Sequence, residues 1–292
     1  MAYIIEDAKL YQHGKLVETS IVVKENKIYS IHLPVTRLHF PRMKADKFIM
    51  APTNVMVSMC IPVQPVDKYW SDTFISNGAT TIMVPIPVKY EYQLTSMLEA
   101  YRTRFKLCPL DYLFTICIPQ SLVTPNVIRF CKKQKIPAIF IKITDPSSFD
   151  NIAWSWIKQA AFPYNPVFIP SLETGVDTGV LLHHWCEVLS QHKIPHLTSP
   201  LEETQPLTIN DMKKIGIYPQ RGDLHSNGEI SYNLFSKDAL LNTENGIPAF
   251  NYDKLFVTVL NGKVIRAGSV IDLSGYKGKE LTISTPGFFV SD

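Results

Sequence analysis

The 292 residues carry 29 Lys and Arg against 26 Asp and Glu, a net charge of +3, with 46% hydrophobic and 19% charged residues. That composition can bury a sizeable core and excludes a disordered chain; near-neutral charge without a basic stripe excludes a dedicated nucleic-acid binder, whose affinity is largely electrostatic. The length exceeds the usual single domain, so one large or two modest domains are expected.

The first fifty residues read as a β meander. Ile4-Ile5 and Lys9-Leu10-Tyr11 run to a turn at His13-Gly14-Lys15, and Ser20-Ile21-Val22-Val23 runs to a second turn at Glu25-Asn26-Lys27 before Ile28-Tyr29-Ser30-Ile31. Short β-branched runs punctuated by Asn and Gly are hairpin signals. Near the other end, Leu255–Leu260, Asn261-Gly262 and Lys263-Val264-Ile265 repeat the pattern. An Asn-Gly pair between apolar runs is a strong hairpin signal because both residues tolerate positive φ. The two ends are expected to form one small β-sandwich.

The middle alternates strand and helix. Apolar runs centre near Val55, Ile82, Phe114, Phe140, Phe168 and His196, at intervals of 27, 32, 26, 28 and 28 residues. Between them Leu94, Met97, Leu98, Tyr101 and Phe105 follow a helical period, and Thr124-Pro125 supplies an N-cap with proline at the first helical position. Ile152, Trp156, Ile157 and Ala160 mark a third helix; Asp177-Thr178 opens a fourth with Leu181, Leu182, Trp185, Val188 and Leu189 on its buried side. A short helix follows at Thr208-Ile209-Asn210-Asp211, then turn-rich sequence at 218–222. This rhythm implies βαβ units on a parallel sheet. A complete eight-unit barrel takes about 250 residues, and this segment holds six units. The expected fold is therefore α/β: an incomplete (β/α) TIM-like barrel of about six units over 51–216, plus a composite β-sandwich from 1–50 and 217–292. The open sheet edge would need covering by a helix or a second subunit.

The five cysteines, Cys60, Cys108, Cys117, Cys131 and Cys186, are scattered with no C-x-x-C pair, and read as reduced thiols. Met1 leads directly into a strand pattern without a leader-like segment, and no apolar run approaches the roughly 20 residues a bilayer span needs. A soluble, cytoplasmic protein without a membrane partner is the expectation.

Four stretches carry a resemblance to the amidohydrolase superfamily, nearest its dihydropyrimidinase, hydantoinase and dihydroorotase branch. Residues 4–11 with 21–28 resemble the opening strands, and Asn77-Gly78-Ala79-Thr80-Thr81-Ile82-Met83-Val84 resembles the Gly-Gly-Thr-Thr strand. Ile217-Tyr218-Pro219-Gln220-Arg221-Gly222 resembles the Leu-Tyr-Pro-x-Lys-Gly return, and Val257–Val264 resembles the closing Val-x-Gly-Lys-x-Val hairpin. The resemblance implies a small sandwich built around a metal-bearing barrel. It also implies a first barrel strand ending in Pro-Gly-x-Ile-Asp-x-His-x-His. Here that place reads Pro52–Cys60, with Met56 at the aspartate position and Ser58 and Cys60 at the two histidine positions. Neutral serine is a poor ligand for a first-row metal, and one cysteine does not replace two imidazoles.

Other positions follow from the same resemblance. Lys142 lies on the fourth strand, where relatives carry a carboxylated lysine bridging two metals; read by itself it is a strand-end lysine reaching solvent or pairing with Asp145. His196 resembles the metal-ligating histidine of the sixth strand's His-x-Ser-Thr. The same stretch also resembles a remnant of the eighth strand's Ser-Asp-His-x-Pro, with Ser199 at or beside the catalytic aspartate; otherwise His196 is a hydrogen-bonded structural histidine. Glu173 echoes the fifth strand's His-x-Glu, with Ser171 at the histidine position. Asp67, Asp72 and Asp145 are candidates for the mouth of the sheet. His183 and His184, adjacent on a helix, point about 100° apart and read as a solvated face with Glu187 and Gln191.

Three functional readings follow. The first is a degenerate amidohydrolase without metal centre or cofactor, acting in binding or assembly as a homo-oligomer or with a full-length amidohydrolase. Ser58, Cys60, Lys142 and Ser199 are then vestiges, and His196, Lys142, Asp145 and Glu173 are binding candidates. The second is an active cyclic amide hydrolase with a rearranged zinc site using Cys60, Lys142 and His196. The third is a small-molecule binder using the vestigial pocket.

Overall fold

The computed structural model describes residues 2–31, 35–59, 67–144, 149–172, 178–203, 205–241 and 249–287. In chain order the strands are β1 (Ala2–Gln12), β2 (Lys15–Lys24), β3 (Lys27–Ile31), β4 (Arg42–Lys44), β5 (Phe48–Pro52), β6 (Asn54–Val57), β7 (Ala79–Pro87), β8 (Asp111–Pro119), β9 (Ala138–Ile143), β10 (Val167–Leu172), β11 (Tyr232–Ser236), β12 (Leu240–Leu241), β13 (Ala249–Phe250), β14 (Leu255–Leu260), β15 (Lys263–Ala267) and β16 (Val270–Ile271). The helices are α1 (Asp67–Thr73), α2 (Leu94–Phe105), α3 (Pro125–Gln134), α4 (Trp154–Ala161), α5 (Thr178–Gln191) and α6 (Ile209–Ile215). The chain divides into two compact units: Met1–Val55 with Gln64–Thr80 and Pro219–Tyr276, and Met56–Val63 with Thr81–Tyr218 and Lys277–Asp292.

The first unit is built on one sheet of nine strands, ordered β16-β15-β14-β11-β5-β1-β2-β3 with β4 beside β1. Three hairpin turns expected from sequence form as two-residue turns with both φ positive: His13 and Gly14 (54° and 74°), Glu25 and Asn26 (49° and 62°), Asn261 and Gly262 (54° and 76°). Such turns match the right-handed strand twist, which a turn of opposite hand would splay. The sheet curls back on itself. Ile28 N–H donates to Gly228 O (2.9 Å), Ile230 N–H donates to Asn26 O (3.1 Å), and Gly262 N–H donates to Ile230 O (2.9 Å). The residues enclosed by this curl are Ile5, Leu10, Ile21, Val23, Ile28, Met50, Tyr232, Leu234 and Val259. Side chains from both chain ends thus share one core. A polar knot lies inside the same unit: Asn233, fully buried, donates from Nδ2 to Gly78 O (2.9 Å) and accepts at Oδ1 from Thr258 Oγ1 (2.9 Å).

The second unit contains a five-stranded parallel sheet in sequential order β6-β7-β8-β9-β10, a curled half-barrel backed by helices. Thr124 caps α3, accepting from Val127 N–H (3.3 Å) ahead of Pro125, as its sequence predicts. The expected third helix is α4, but it begins at Trp154 and buries Trp154, Ile157, Ala160 and Ala161, leaving Trp156 62% exposed. On α5 the buried stripe is Leu181, Trp185, Val188 and Leu189; Leu182 is half-exposed.

The sixth strand expected near His196 is reduced to a single parallel bridge between His196 and Phe168. Proline supplies the reason. Phe168 N–H donates to Pro195 O and Leu197 N–H donates to Phe168 O, both at 2.8 Å. The next donor along β10 in a parallel ladder is Pro170, which has no N–H. Leu197 O accepts instead from Trp185 Nε1 (2.8 Å), and the ladder ends. The tail from Lys277 departs from the composite sandwich expected over 217–292: Tyr112 N–H donates to Lys279 O (3.0 Å), and Leu281 N–H donates to Tyr112 O (2.7 Å), beside β8.

Candidate functional site

In a parallel sheet, register partners point to the same side and neighbours along a strand alternate. One face of this sheet is fixed by its helices. Phe114 of β8 meets Phe105 of α2 with ring centroids 5.4 Å apart, and Phe168 of β10 meets Trp154 of α4 at 6.3 Å. Residues of opposite parity therefore share the other, inner face.

At the carboxyl ends of the strands that inner face carries Lys142, in register with Ser171 on one side and Pro119 on the other. Cys117, in register with Phe140, lies one pleat earlier. Lys142 is exposed; Cys117 and Ser171 are half-buried. Burial raises the Cys117 thiol pKa, and the nearby Lys142 ammonium opposes that shift without cancelling it, so the thiol form is favoured. Beneath it Thr115 is fully buried, its hydroxyl without a hydrogen-bond partner among the described residues. Gln120 ties two strand ends together, accepting at Oε1 from Thr144 N–H (3.0 Å).

His196 lies elsewhere. As the bridge partner of Phe168 it faces the helices, its ring edge-on to Trp185 with centroids 6.4 Å apart. Its Nδ1 lies 2.9 Å from the Ile194 carbonyl, which only accepts, so this nitrogen carries the hydrogen. Burial lowers its pKa, the Ile194 hydrogen bond opposes this, and Lys214 adds to the lowering. His196 lies beside β10, sixth in order along the sheet, and Ser199 is exposed in the bend beyond.

Ser58 follows β6 and is fully buried, its N–H donating to Met83 O (2.9 Å). The next N–H, of Met59, donates to Glu203 Oε1 (2.9 Å). Cys60, Asp145 and Glu173 lie outside the described residues, as does the side chain of Asp67; Asp72 is exposed on α1 in the first unit. His183 and His184 separate as their helical angle requires. His184 reaches Asp150 (Nε2 to Oδ1 2.8 Å), whereas His183 lines a groove with Leu182, Cys186, Glu187, Ser190 and Thr198.

A hydrolytic zinc needs several imidazole, carboxylate or thiolate ligands converging on one point. Among the described residues no three His, Cys, Asp or Glu side chains converge in that way. Lys142 and His196, the two described members of the zinc set read from sequence, face opposite sides of the sheet. The described residues do not fit the metal centre that the resemblance implies. No helix among them is long and apolar enough to cross a membrane.

The fold, a partial parallel barrel and a sheet built from both chain ends, is similar to that of solved hydantoinases and dihydropyrimidinases. Among solved structures, the chain is similar to a D-hydantoinase (TM-score 0.68, 11% identity, covering 98% of this chain and 99% of that one). It is also similar to the dihydropyrimidinase from Brevibacillus agri (TM-score 0.63, 9% identity, 98% and 99%) and to the D-hydantoinase from Thermus sp. (TM-score 0.63, 9% identity, 98% and 100%). No family model matches the chain, and no curated protein matches it.

Sequence reading found Lys142 but missed its neighbour Cys117. Two residues apart from Pro119, which pairs with Lys142, Cys117 has the right parity; only the strand register reveals it. The α5 groove was also missed, because Leu182 falls within the helical period of the buried stripe.

Proposed function

We propose that this chain is an amidohydrolase-fold subunit that has lost the hydrolytic metal centre and acts by binding or assembly, as a homo-oligomer. The observation that carries this reading is the placement of Lys142 and His196 on opposite faces of one sheet, with Ser58 buried where the resemblance expects a metal-binding histidine. Water activation by a cation requires fixed ligands around one open position, and these residues cannot share one. The test is metal content after mild purification, paired with hydrolysis assays on dihydropyrimidine, hydantoin and dihydroorotate in the presence of zinc. Expected are substoichiometric metal and no turnover above a blank. One tightly held zinc per chain, or turnover abolished by chelation, would overturn the reading.

A second reading rests on the inner face itself. An exposed lysine beside a half-buried thiol and hydroxyl offers charge and hydrogen bonds to a small polar ligand. Ligand-induced thermal shifts against pyrimidines and hydantoins, lost in Lys142→Met, test it.

A further inference from the structure

We propose that the outer flank of α5 is the surface on which a second copy of this chain docks, antiparallel about a two-fold axis beside Cys186. The proposal rests on the assembly reading above and replaces the sheet edge with a helix face as the contact. The sheet edge is a poor docking site: Phe168 already spends its N–H and C=O on Pro195 and Leu197, and Pro170 next to it has no N–H to offer.

On α5 the buried stripe and the outer flank separate cleanly. Leu182, Cys186 and Ser190 recur every four residues along one line, and His183 and Glu187 run beside them. Residues spaced in this way share one helix face. Together with Thr198 they line a groove of about 470 Å³. His184 points away to Asp150, so the groove flank is distinct from the flank that meets the preceding segment. Val180, one turn earlier, is 69% exposed. Among the described residues, Lys214 of α6 acts electrostatically on Cys186, and its Nζ donates to His196 O (3.3 Å).

The pattern is complementary to itself. A two-fold axis makes residue i meet residue j while j meets i. With the axis at Cys186, Leu182 faces Ser190 of the second copy and Cys186 faces its own counterpart. His183 and Glu187 then lie within about 3 Å of facing one another along the helix axis, since two residues of offset rise that far. Both reach across, so imidazole meets carboxylate twice per dimer. The helix has 14 residues and is therefore ~21 Å long. Such a face is smaller than the roughly 800 Å² per partner of a standard stable interface, so the dimer is expected to be weak and concentration-dependent.

Sedimentation equilibrium of the full chain, together with oxidative cross-linking by copper–phenanthroline, tests the proposal. Expected are reversible dimers at high micromolar concentration and a disulfide-linked dimer that disappears in Cys186→Ser. Glu187→Lys should weaken association about tenfold or more, because symmetry applies the change twice. Adding His183→Glu to Glu187→Lys swaps the charges and should restore association. Both positions are exposed, so circular dichroism should show an unchanged fold. A monomer at millimolar concentration, dimers indifferent to Glu187→Lys, or a cross-link through another cysteine would each overturn the proposal. Bound zinc with turnover in a dimer of this kind would overturn the non-catalytic reading and leave this surface standing; a metal-free, inactive monomer would overturn this surface and the homo-oligomeric part of that reading and leave its non-catalytic part standing.

Discussion

Lys142 and His196 project from opposite faces of the same parallel sheet. Lys142 follows the parity of Ser171 on β10, and His196 follows that of Phe168, three residues earlier. An odd separation along a strand reverses direction, so no change of rotamer brings the two groups to one ion. Zinc uptake measured by equilibrium dialysis should be the same for the wild type, Lys142→Met and His196→Gln. A fall in stoichiometry in both variants would show the two side chains acting together.

His196 should instead register in stability. Burial, its largest influence, lowers its pKa below the ordinary imidazole value of about 6.5. The folded state then favours neutral imidazole while the unfolded chain takes up a proton first. Stability attributable to this group is fully present above the ordinary value and is lost as pH falls from there towards the folded value. The advantage of wild type over His196→Gln, read from urea midpoints, should shrink as pH drops from mildly alkaline to mildly acidic. A pH-independent difference would contradict this.

The buried knot around Asn233 predicts non-additive energetics. Asn233→Leu strands the Thr258 hydroxyl in the interior and leaves the Gly78 carbonyl with the Asn54 N–H alone (2.9 Å), which should cost about 1–3 kcal/mol. Removing both polar partners with Thr258→Val should cost less than the sum of the single changes. Gly78 belongs to the same knot: its φ is 65°, and a Cβ there would lie 2.5 Å from Asn233 Nδ2. Chemical denaturation of the two single variants and the double variant supplies the cycle; strict additivity would argue against a shared network.

Much of this architecture can be read in the sequence, and what cannot has a common cause. Periodicity places five parallel strands, because each buries apolar side chains on at least one face. Paired positive-φ turns place the hairpins, because few residues tolerate that backbone. Both signals are local. The end of the sheet depends on Pro170 lying opposite Leu197, the direction of His196 depends on its bridge to Phe168, and the Cys117–Lys142 proximity depends on strand register. Each involves partners far apart in sequence. Trp156 shows the same limit: its helical period fits a buried face, but the neighbouring Trp154 occupies the core and donates from Nε1 to Phe149 O (3.2 Å).

The docking of the tail on β8 has no periodic signal either, and it yields the sharpest steric prediction. Gly278 N–H donates to Cys108 O (2.8 Å), and a Cβ added at Gly278 would lie 1.7 Å from Leu110 O. That overlap is with backbone, so the tail must move away. Beyond it Lys279 N–H donates to Asp111 Oδ1 (3.0 Å), and Arg102 holds Glu280 through its guanidinium (2.9 Å). The ion pair is partly exposed, so Glu280→Gln should cost less than about 1 kcal/mol. Gly278→Ala should cost about 1–3 kcal/mol, since the whole tail loses its seat. The thiol of Cys108, buried under the same segment with its pKa pushed up to about 12 chiefly by burial, provides a local readout. Its reaction with a disulfide reagent in the native protein should accelerate at least tenfold in Gly278→Ala and remain near the wild-type rate in Glu280→Gln. Equal rates in all three proteins would show that the tail does not seal this part of the sheet.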